Sequence, residues 1–225
     1  MIIEKKLIAG IDEVGRGPLV GPVVISAVIL GDYNNNDITD SKKLSPKKRE
    51  ILSSEIKNNA FSWVIVSIGP DIIEEKNILG ATLYGMKIAA EKVGADYLLI
   101  DGNQKIDTKI PQETVVKGDL LCKEISAASI IAKVWRDNYM KELAKNYPQY
   151  GFEKHAGYPT KAHIEVIKQY GPTKFHRQAF RGVKEFTESN SFFENYKENV
   201  VLYQKENKNS HDFGIYWEMG GKRSL

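Results

Sequence analysis

Short apolar segments rich in β-branched residues recur along this chain, and each ends in a polar or glycine-containing break, a pattern that few folds accommodate. The first two, residues 7–11 and 20–30, are separated by Gly-Arg-Gly-Pro at residues 15–18, which interrupts regular structure. They are therefore predicted to be two paired strands. Three further strands are predicted at residues 63–68, 97–100 and 114–116.

Helices are predicted between and after these strands. Ser45 and Pro46 supply an N-cap and a first-turn proline for a helix that extends to about Lys57. Apolar residues at helical spacing, or a capping residue, predict three more helices at residues 78–93, 126–146 and 160–170. A block of strands followed by alternating helices and strands predicts an α/β fold with a mixed β-sheet flanked by helices.

Composition indicates one large domain with an extension. A length of 225 residues is too short for two full domains of about 150 each, and 42% hydrophobic residues suffice for a core without disulfides. Residues 1–181 carry 26 basic and 22 acidic side chains, whereas residues 182–225 carry 6 and 7. The second segment is rich in Asn, Glu and Ser but also in aromatic residues. We therefore expect a helical or irregular C-terminal extension rather than simple disorder.

Other features of the composition bear on compartment and partners. The single cysteine, Cys122, excludes an internal disulfide framework and a cysteine-based zinc cluster, which fits a reducing compartment. No apolar run approaches the roughly 18 residues of a membrane span, and the first residues do not resemble a secretion signal. We expect a cytoplasmic protein with no membrane partner. The net charge of +3 is too small to indicate nucleic-acid binding by itself.

Four carboxylates stand where predicted strands end. A single Asp after a strand is most often a turn residue or a helix cap, but four in one chain favour a shared site at the sheet edge. Clustered carboxylates repel each other unless a cation offsets them, and oxygen ligands without Cys or paired His indicate Mg²⁺ or Mn²⁺. The four are Asp12 and Glu13 after the first strand, Asp101 after the fourth and Asp119 after the fifth.

The adjacent pair Asp12 and Glu13 raises a geometric question. Neighbouring residues of a regular strand point to opposite faces, so both can reach one metal only if the chain bends at Val14-Gly15. Alternatively, Glu13 contributes its backbone carbonyl or binds a second ion. Two ions about 4 Å apart suit in-line displacement at a phosphodiester, so phosphoryl transfer is the favoured reaction class.

Two other segments could contact phosphate. Residues 15–21 do not match a dinucleotide fingerprint, because the third glycine falls one position late and Pro18 stands where a helix should open. The N–H groups of Gly-Arg-Gly could instead approach a ligand closely, although a plain hairpin turn explains the segment as well. Residues 42–49 contain five cations, which suit either a phosphate backbone or a solvated helix face.

Six motifs stand in a characteristic order within residues 7–183. They are Gly-Ile-Asp-Glu-Val-Gly-Arg-Gly-Pro-Leu-Val-Gly-Pro at 10–22, Asp-Ser-Lys-Lys-Leu at 40–44, Asp-Gly-Asn at 101–103, Val-Lys-Gly-Asp at 116–119, Ala-Ala-Ser-Ile-Ile-Ala-Lys-Val with Arg-Asp at 127–137, and Gly-Tyr-Pro-Thr at 157–160. In this order they resemble bacterial ribonuclease HII. Gly-Arg-Gly distinguishes this family from ribonuclease HIII, which carries an additional N-terminal domain.

The resemblance implies an RNase H-like catalytic domain over residues 1–183, with the role of residues 184–225 unassigned. It implies a monomer that cleaves RNA paired to DNA, including single ribonucleotides in duplex DNA, by two-metal in-line hydrolysis giving 5′-phosphate and 3′-hydroxyl ends. Mn²⁺ or Mg²⁺ would be held by Asp12, Glu13, Asp101 and Asp119. Gly15, Arg16 and Gly17 would sense the ribose 2′-OH, Tyr158 would stack on the neighbouring sugar, and Ser41 and Lys42 would lie near phosphate.

The sequence departs from the family pattern beside two of these motifs. Leu120-Leu121 follow Asp119 where a small polar and a basic residue are common, which puts a phosphate contact there in doubt. Ala156 stands where a lysine commonly precedes Gly-Tyr-Pro-Thr, which weakens backbone binding. His176-Arg177 resembles the closing motif of the family and could lie near substrate.

Two rival interpretations differ from this one in identifiable residues. Another RNase H-fold nuclease or a transposase-like enzyme would lack Gly-Arg-Gly and Gly-Tyr-Pro-Thr in this order. An inactive nucleic-acid-binding module would lack a metal ligand, and all four are present.

Overall fold

In the computed structural model, residues 6–187 and 214–222 are described. The strands are β1 (Ile8–Val14), β2 (Val23–Ile29), β3 (Ser62–Ile68), β4 (Tyr97–Asp101), β5 (Gln112–Val115) and β6 (Ile215–Gly220). The helices are α1 (Pro46–Asn59), α2 (Pro70–Val93), α3 (Gly118–Leu121), α4 (Lys123–Asn146), α5 (Phe152–His155), α6 (Lys161–Tyr170) and α7 (Lys184–Thr187).

The strands form one mixed sheet in the order β5-β4-β1-β2-β3-β6. β1 runs parallel to β4, which runs parallel to β5, whereas β2, β3 and β6 continue the sheet in antiparallel pairs. The predicted mixed sheet with flanking helices is confirmed. Because Ile11 pairs with Ile100 in the parallel ladder, the residues that end β1 and β4 come side by side at one edge.

Helices cover both faces of the sheet. α2 packs on one face, where Ile25 points, while α1 and α4 pack on the other, where Val24 points. Since both of its faces are covered, β2 is buried at all seven residues. α4 lies so close to β1 that a Cβ atom on Gly10 would overlap the backbone of Glu124. The missing side chain at Gly10 therefore allows the start of α4 to pack directly on the strand.

The helix predicted at residues 78–93 begins earlier, at Pro70, because two helical segments meet at a kink. Asn77 has a non-helical backbone with φ 55° and ψ 171°. Its side-chain oxygen accepts hydrogen bonds from the N–H groups of Leu79 and Gly80, both at 3.0 Å. Asn77 thus caps the second segment, whose start agrees with the prediction.

The C-terminal extension contributes a strand, which the expectation of helical or irregular structure omitted. β6 pairs with β3 over residues 215–220 and forms one edge of the sheet. Lys57 donates a hydrogen bond to Glu218 at 2.9 Å, and Lys92 Nζ lies 3.8 Å from the centre of the Trp217 ring. Composition could not indicate this strand, because its partner β3 lies far earlier in the chain.

Five aromatic residues of the extension lie outside the described residues, namely Phe192, Phe193, Tyr196, Tyr203 and Phe213. In the described ranges, no helix has the length and hydropathy that a membrane crossing requires.

Candidate active site

A cavity of about 340 Å³ opens at the edge of the sheet where β1 and β4 end. All four carboxylates that the strand ends predicted contribute to its wall, and so do three of the six residues expected to contact substrate. Its lining residues are Asp12, Glu13, Val14, Ser41, Lys42, Arg49, Asp101, Asp119, Ser129, Lys133 and Tyr158.

Two of the carboxylates are held by the turn into α3. Asp101 is the last residue of β4, and its Oδ1 accepts a hydrogen bond from the N–H of Gly118 at 2.6 Å. A Cβ atom on Gly118 would overlap Ile125, so glycine allows this close approach. Asp119 follows in the first turn of α3, where it is 6% exposed, and its carbonyl accepts a hydrogen bond from the Ser126 hydroxyl at 2.8 Å.

Asp12 and Glu13 sit in continuous strand, opposite Ser26 and Ile25 of β2. Gly15, which follows the strand, has φ 91°, and the register with β2 is intact through Val14. Asp12 is buried at 5% exposure, whereas the Glu13 carboxylate lies at the rim, 3.4 Å from Arg16. Both side chains nevertheless contribute to the wall of the same cavity, without a break in the ladder with β2.

Three of the carboxyl groups have raised pKa values. Burial raises the pKa of Asp12 well above its usual range, and the neighbouring Glu13 and Asp101 raise it further. Burial also raises the pKa of Glu13 against the opposing effect of Arg16. The pKa of Asp101 is raised chiefly by burial, although its hydrogen bond from Gly118 opposes the shift. The cavity thus concentrates negative charge that a bound cation would stabilise.

Lys42 supplies part of the missing positive charge. Its Nζ lies 3.0 Å from Oδ2 of Asp119, and this hydrogen bond raises the pKa of Lys42. The Lys42 side chain is 80% exposed, so the ion pair is open to solvent. Next to it, the hydroxyl groups of Ser41 and Ser129 lie 3.0 Å apart, and Ser129 forms a hydrogen bond with Asp12 that lowers the pKa of that carboxyl.

The donor set fits a hard divalent cation in kind, since it consists of carboxylate oxygens around a shared cavity. In the part of the chain that the structure describes, no three His, Cys, Asp or Glu side chains converge closely enough to hold a metal ion as they stand. An ion bound to Asp119 would compete with the Lys42 ammonium group for the same carboxylate.

The Gly-Arg-Gly segment lies beside the cavity rather than in its wall. Arg16 and Gly17 are exposed, and a Cβ atom on Gly17 would stand 3.4 Å from the Tyr158 ring. Tyr158 is 41% exposed and lines the cavity. The residues that the resemblance assigns to the ribose and its neighbour thus form one surface next to the carboxylates.

Several residues around the cavity received no role from the sequence. Ser129 and Lys133 lie four residues apart in the Ala-Ala-Ser-Ile-Ile-Ala-Lys-Val motif, a spacing that places both on one face of α4, so the sequence carried a usable signal for them. Arg49 also lines the cavity, where it donates to the Ser41 carbonyl at 2.9 Å. Arg177 is fully buried and donates to the carbonyls of Gly15 and Arg16, so the suggestion that it lies near substrate stays a prediction.

Three residues depart from the family pattern, and each lies next to one of the motifs. Leu120 and Leu121 follow Asp119 with exposures of 48% and 71%, and they bring no basic group to that side. Ala156 adopts φ 49°, and its carbonyl accepts a hydrogen bond from Arg136 at 3.0 Å.

Comparisons with known proteins agree with this geometry. A sequence profile described as Ribonuclease HII matches residues 9–183. Ribonuclease HII of Vibrio campbellii is 56% identical over 183 residues, which cover 80% of this chain and 86% of that protein. Ribonuclease HII of Chloroherpeton thalassium is 54% identical over 182 residues, covering 77% and 89%.

The fold is also similar to that of a solved structure, ribonuclease H2 of Pyrococcus horikoshii. Its TM-score is 0.66, with 24% identity, over 85% of this chain and 99% of that one. The chain belongs to the ribonuclease HII family, whose members are divalent-metal-dependent endoribonucleases that cleave the RNA strand of RNA–DNA hybrids.

Proposed function

We propose that this chain hydrolyses phosphodiester bonds next to ribonucleotides. Its substrates would be RNA–DNA hybrids and duplex DNA that contains single embedded ribonucleotides. The observation that carries the proposal is that four carboxylates from β1, β4 and α3 line one cavity, three of them with raised pKa values. Such an arrangement is costly for the fold and is typical of functional sites.

Asp12, Glu13, Asp101 and Asp119 would hold Mn²⁺ or Mg²⁺. Bound there, such ions supply charge neutralisation at the phosphate and an activated water. We propose in-line hydrolysis with two ions, leaving 5′-phosphate and 3′-hydroxyl ends. Within the protein, Lys42 neutralises the Asp119 carboxylate until an ion displaces its ammonium group, and the hydrogen bond between Ser129 and Asp12 orients the Asp12 carboxyl.

Substrate contacts fall into two groups. Lys42 and Ser41, on the wall of the cavity, would contact phosphates, which are alike along both strands and give affinity without selecting a site. Selection of the ribose would come from Gly15, Arg16 and Gly17, since the 2′-OH is the group that distinguishes RNA from DNA. Tyr158 would stack on the next sugar.

We further propose that residues 1–183 form the catalytic domain, that the enzyme acts as a monomer and that it is cytoplasmic. The profile match ends at residue 183, which supports this boundary. The extension then adds β6 at the sheet edge away from the cavity.

The test uses the purified full-length chain and a labelled DNA duplex that contains one ribonucleotide, with Mn²⁺, with Mg²⁺ or with EDTA. We expect cleavage beside the ribonucleotide with either ion and none with EDTA, and we expect the released ends to be a ligatable 5′-phosphate and a 3′-hydroxyl. An all-DNA duplex is the matched control. Cleavage of RNA–DNA hybrid but never of the single-ribonucleotide duplex would refute the finer part of the proposal.

A further inference from the structure

Two fully buried arginines hold the backbone of the loop that contains Gly-Arg-Gly. Arg177 is 0% exposed and donates three hydrogen bonds to carbonyl groups of this loop. Its Nε donates to Gly21 at 2.9 Å, and its two terminal nitrogens donate to Arg16 at 2.9 Å and Gly15 at 2.6 Å. One guanidinium group therefore joins both ends of the loop.

Arg136, from the middle of α4, completes the arrangement. It is also 0% exposed, and its Nε donates to the carbonyl of Pro22 at 3.1 Å. Its terminal nitrogens donate to Val20 at 3.2 Å and to Ala156 at 3.0 Å. Because Ala156 precedes the segment that carries Tyr158, Arg136 links the loop to that segment.

Neither guanidinium group is balanced by a carboxylate. Among the described residues, neither arginine has an acidic oxygen within 4.0 Å. Burial lowers the pKa of Arg136 to about 10 and that of Arg177 to about 9, so both remain charged at neutral pH. Every hydrogen bond that the two guanidinium groups donate goes to a backbone carbonyl, with Asp137 and Glu74 acting only from a greater distance. Burying two charges in this way is expensive in free energy when core stability is the only gain.

The hydrogen bonds of Arg177 determine which way two peptide groups face. The described chain has no cis peptide bonds, so each carbonyl points opposite to the N–H of the next residue. The carbonyls of Gly15 and Arg16 point inward to Arg177. The N–H groups of Arg16 and Gly17 must then point outward, and both residues are exposed.

These two N–H groups are available to a ligand. Within the described residues, neither donates a hydrogen bond to a protein acceptor. Adjacent outward N–H groups above a buried positive charge suit an oxygen acceptor such as a hydroxyl or a phosphate oxygen. They lie beside Tyr158 and the carboxylate cavity.

We propose that Arg177 is a positioning residue for ribose recognition, acting through the Gly15–Arg16 and Arg16–Gly17 peptide groups, whose N–H groups it directs at the substrate. The inference rests on the proposed function, in which this loop senses the 2′-OH. A lysine cannot replace Arg177, because an ammonium group lacks the planar fork that engages three carbonyls in fixed directions.

A double-mutant cycle tests the proposal on a duplex with a single ribonucleotide. Arg177→Lys should lower kcat on the order of 100-fold while KM changes less than about threefold, since a misaligned ribose misplaces the scissile phosphate. Gly17→Ala should also lower kcat, because its methyl group obstructs the outward N–H groups. Combining the two changes should lower kcat by less than about twofold beyond Gly17→Ala alone, because both act on one interaction.

Two controls separate this effect from lost stability. Arg181→Lys changes an exposed arginine four residues away and should leave cleavage unchanged. Met86→Ala removes a buried side chain of α2 on the opposite face of the sheet, so it should lower stability and leave kcat unchanged below its melting temperature.

The outcomes are distinguishable. No cleavage by the wild-type protein would overturn the proposed function itself. Wild-type cleavage with losses that multiply in the double variant, or with a rise in KM alone, would overturn only the role of Arg177. Normal cleavage by Gly17→Ala would show that the loop does not recognise the ribose and would overturn the inference as well.

A measurement on the wild-type protein covers the case in which Arg177→Lys does not fold. With EDTA present to prevent cleavage, a duplex with one ribonucleotide is added to ¹⁵N-labelled protein. The amide signals of Arg16 and Gly17 and the Nε–H signal of Arg177 should shift together, and an all-DNA duplex should not shift them. Amide shifts without a response at Arg177, or no ribose-dependent shift at all, would overturn the proposal.

Discussion

Replacing each of the two glycines that flank Arg16 with alanine should separate the stability of the loop from its function. Gly15 adopts φ 91°, where an alanine costs about 1–2 kcal/mol. Its new methyl group would also overlap Nε of Arg136, and relieving such overpacking costs about 1–3 kcal/mol. Gly15→Ala should therefore lower the free energy of unfolding by about 2–5 kcal/mol, or the Tm by roughly 4–20 °C.

Gly17→Ala should behave differently, although it lies only two residues away. The φ angle of Gly17 lies outside the left-handed region, and its new methyl group would make an ordinary contact of 3.4 Å with Tyr158. The free energy of unfolding should stay within about 0.5 kcal/mol of the wild-type value. Cleavage at a single ribonucleotide should nevertheless fall on the order of 100-fold, while duplex binding falls less than about threefold.

Three measurements on each variant decide the matter: urea unfolding, binding of an uncleaved duplex in EDTA, and kcat with Mn²⁺ below the melting temperature. The expected pattern is loss of stability for Gly15→Ala and loss of kcat with intact stability for Gly17→Ala. Equal loss of binding and cleavage in Gly17→Ala on every substrate would show that the loop binds nucleic acid without selecting the ribose. A Gly15→Ala variant as stable as the wild type would refute the reasoning from backbone strain.

Asp101→Asn should fold normally and retain the hydrogen bond from Gly118 through its amide oxygen. It should lose nearly all cleavage, because a negative charge is removed from the metal-binding carboxylates. Near-normal turnover would remove Asp101 from the mechanism. A chain that ends after Glu188 should still cleave but show a lower Tm, because it lacks β6 and leaves the edge of β3 unpaired. A truncated chain that folds but does not cleave would show that the catalytic domain does not end at residue 183. Burial lowers the pKa of His163 to about 4 and that of His176 to about 3, so as the pH falls below about 6.5 the unfolded chain binds protons before the folded one does. As the pH is lowered from about 6.5 to about 4.5, the free energy of unfolding measured in urea should therefore fall more steeply for the wild type than for His176→Gln. The two slopes should differ by up to about 1.4 kcal/mol per pH unit. Equal slopes would contradict a buried neutral His176.

The sequence predicted those parts of the site that depend on local pattern. Asp12 and Asp101 follow apolar segments, and a position at a strand end was enough to expect them in a site, whereas the parallel pairing of β1 with β4 is visible only in the structure. Strand β6 was not predicted, because it is stabilised by pairing with β3, a segment far away in the sequence that a local pattern does not reveal. The motifs included Arg136 and Arg177, but their burial was not predicted, since a charged residue is ordinarily exposed and only the folded chain surrounds these two with carbonyl groups.

The separation along the chain of the strands that carry the carboxylates has a kinetic consequence. Residues 11 and 100 become neighbours only when β1 and β4 pair, and Asp119 joins them only after β5 has added to that ladder. Contacts between such distant segments form slowly, because a long loop must close before they contribute. We therefore expect enzymatic activity to return late in refolding, after helical signals have recovered. Brief detachment of the short edge strand β5 should displace Asp119 from the site, while the rest of the sheet remains protected from hydrogen exchange.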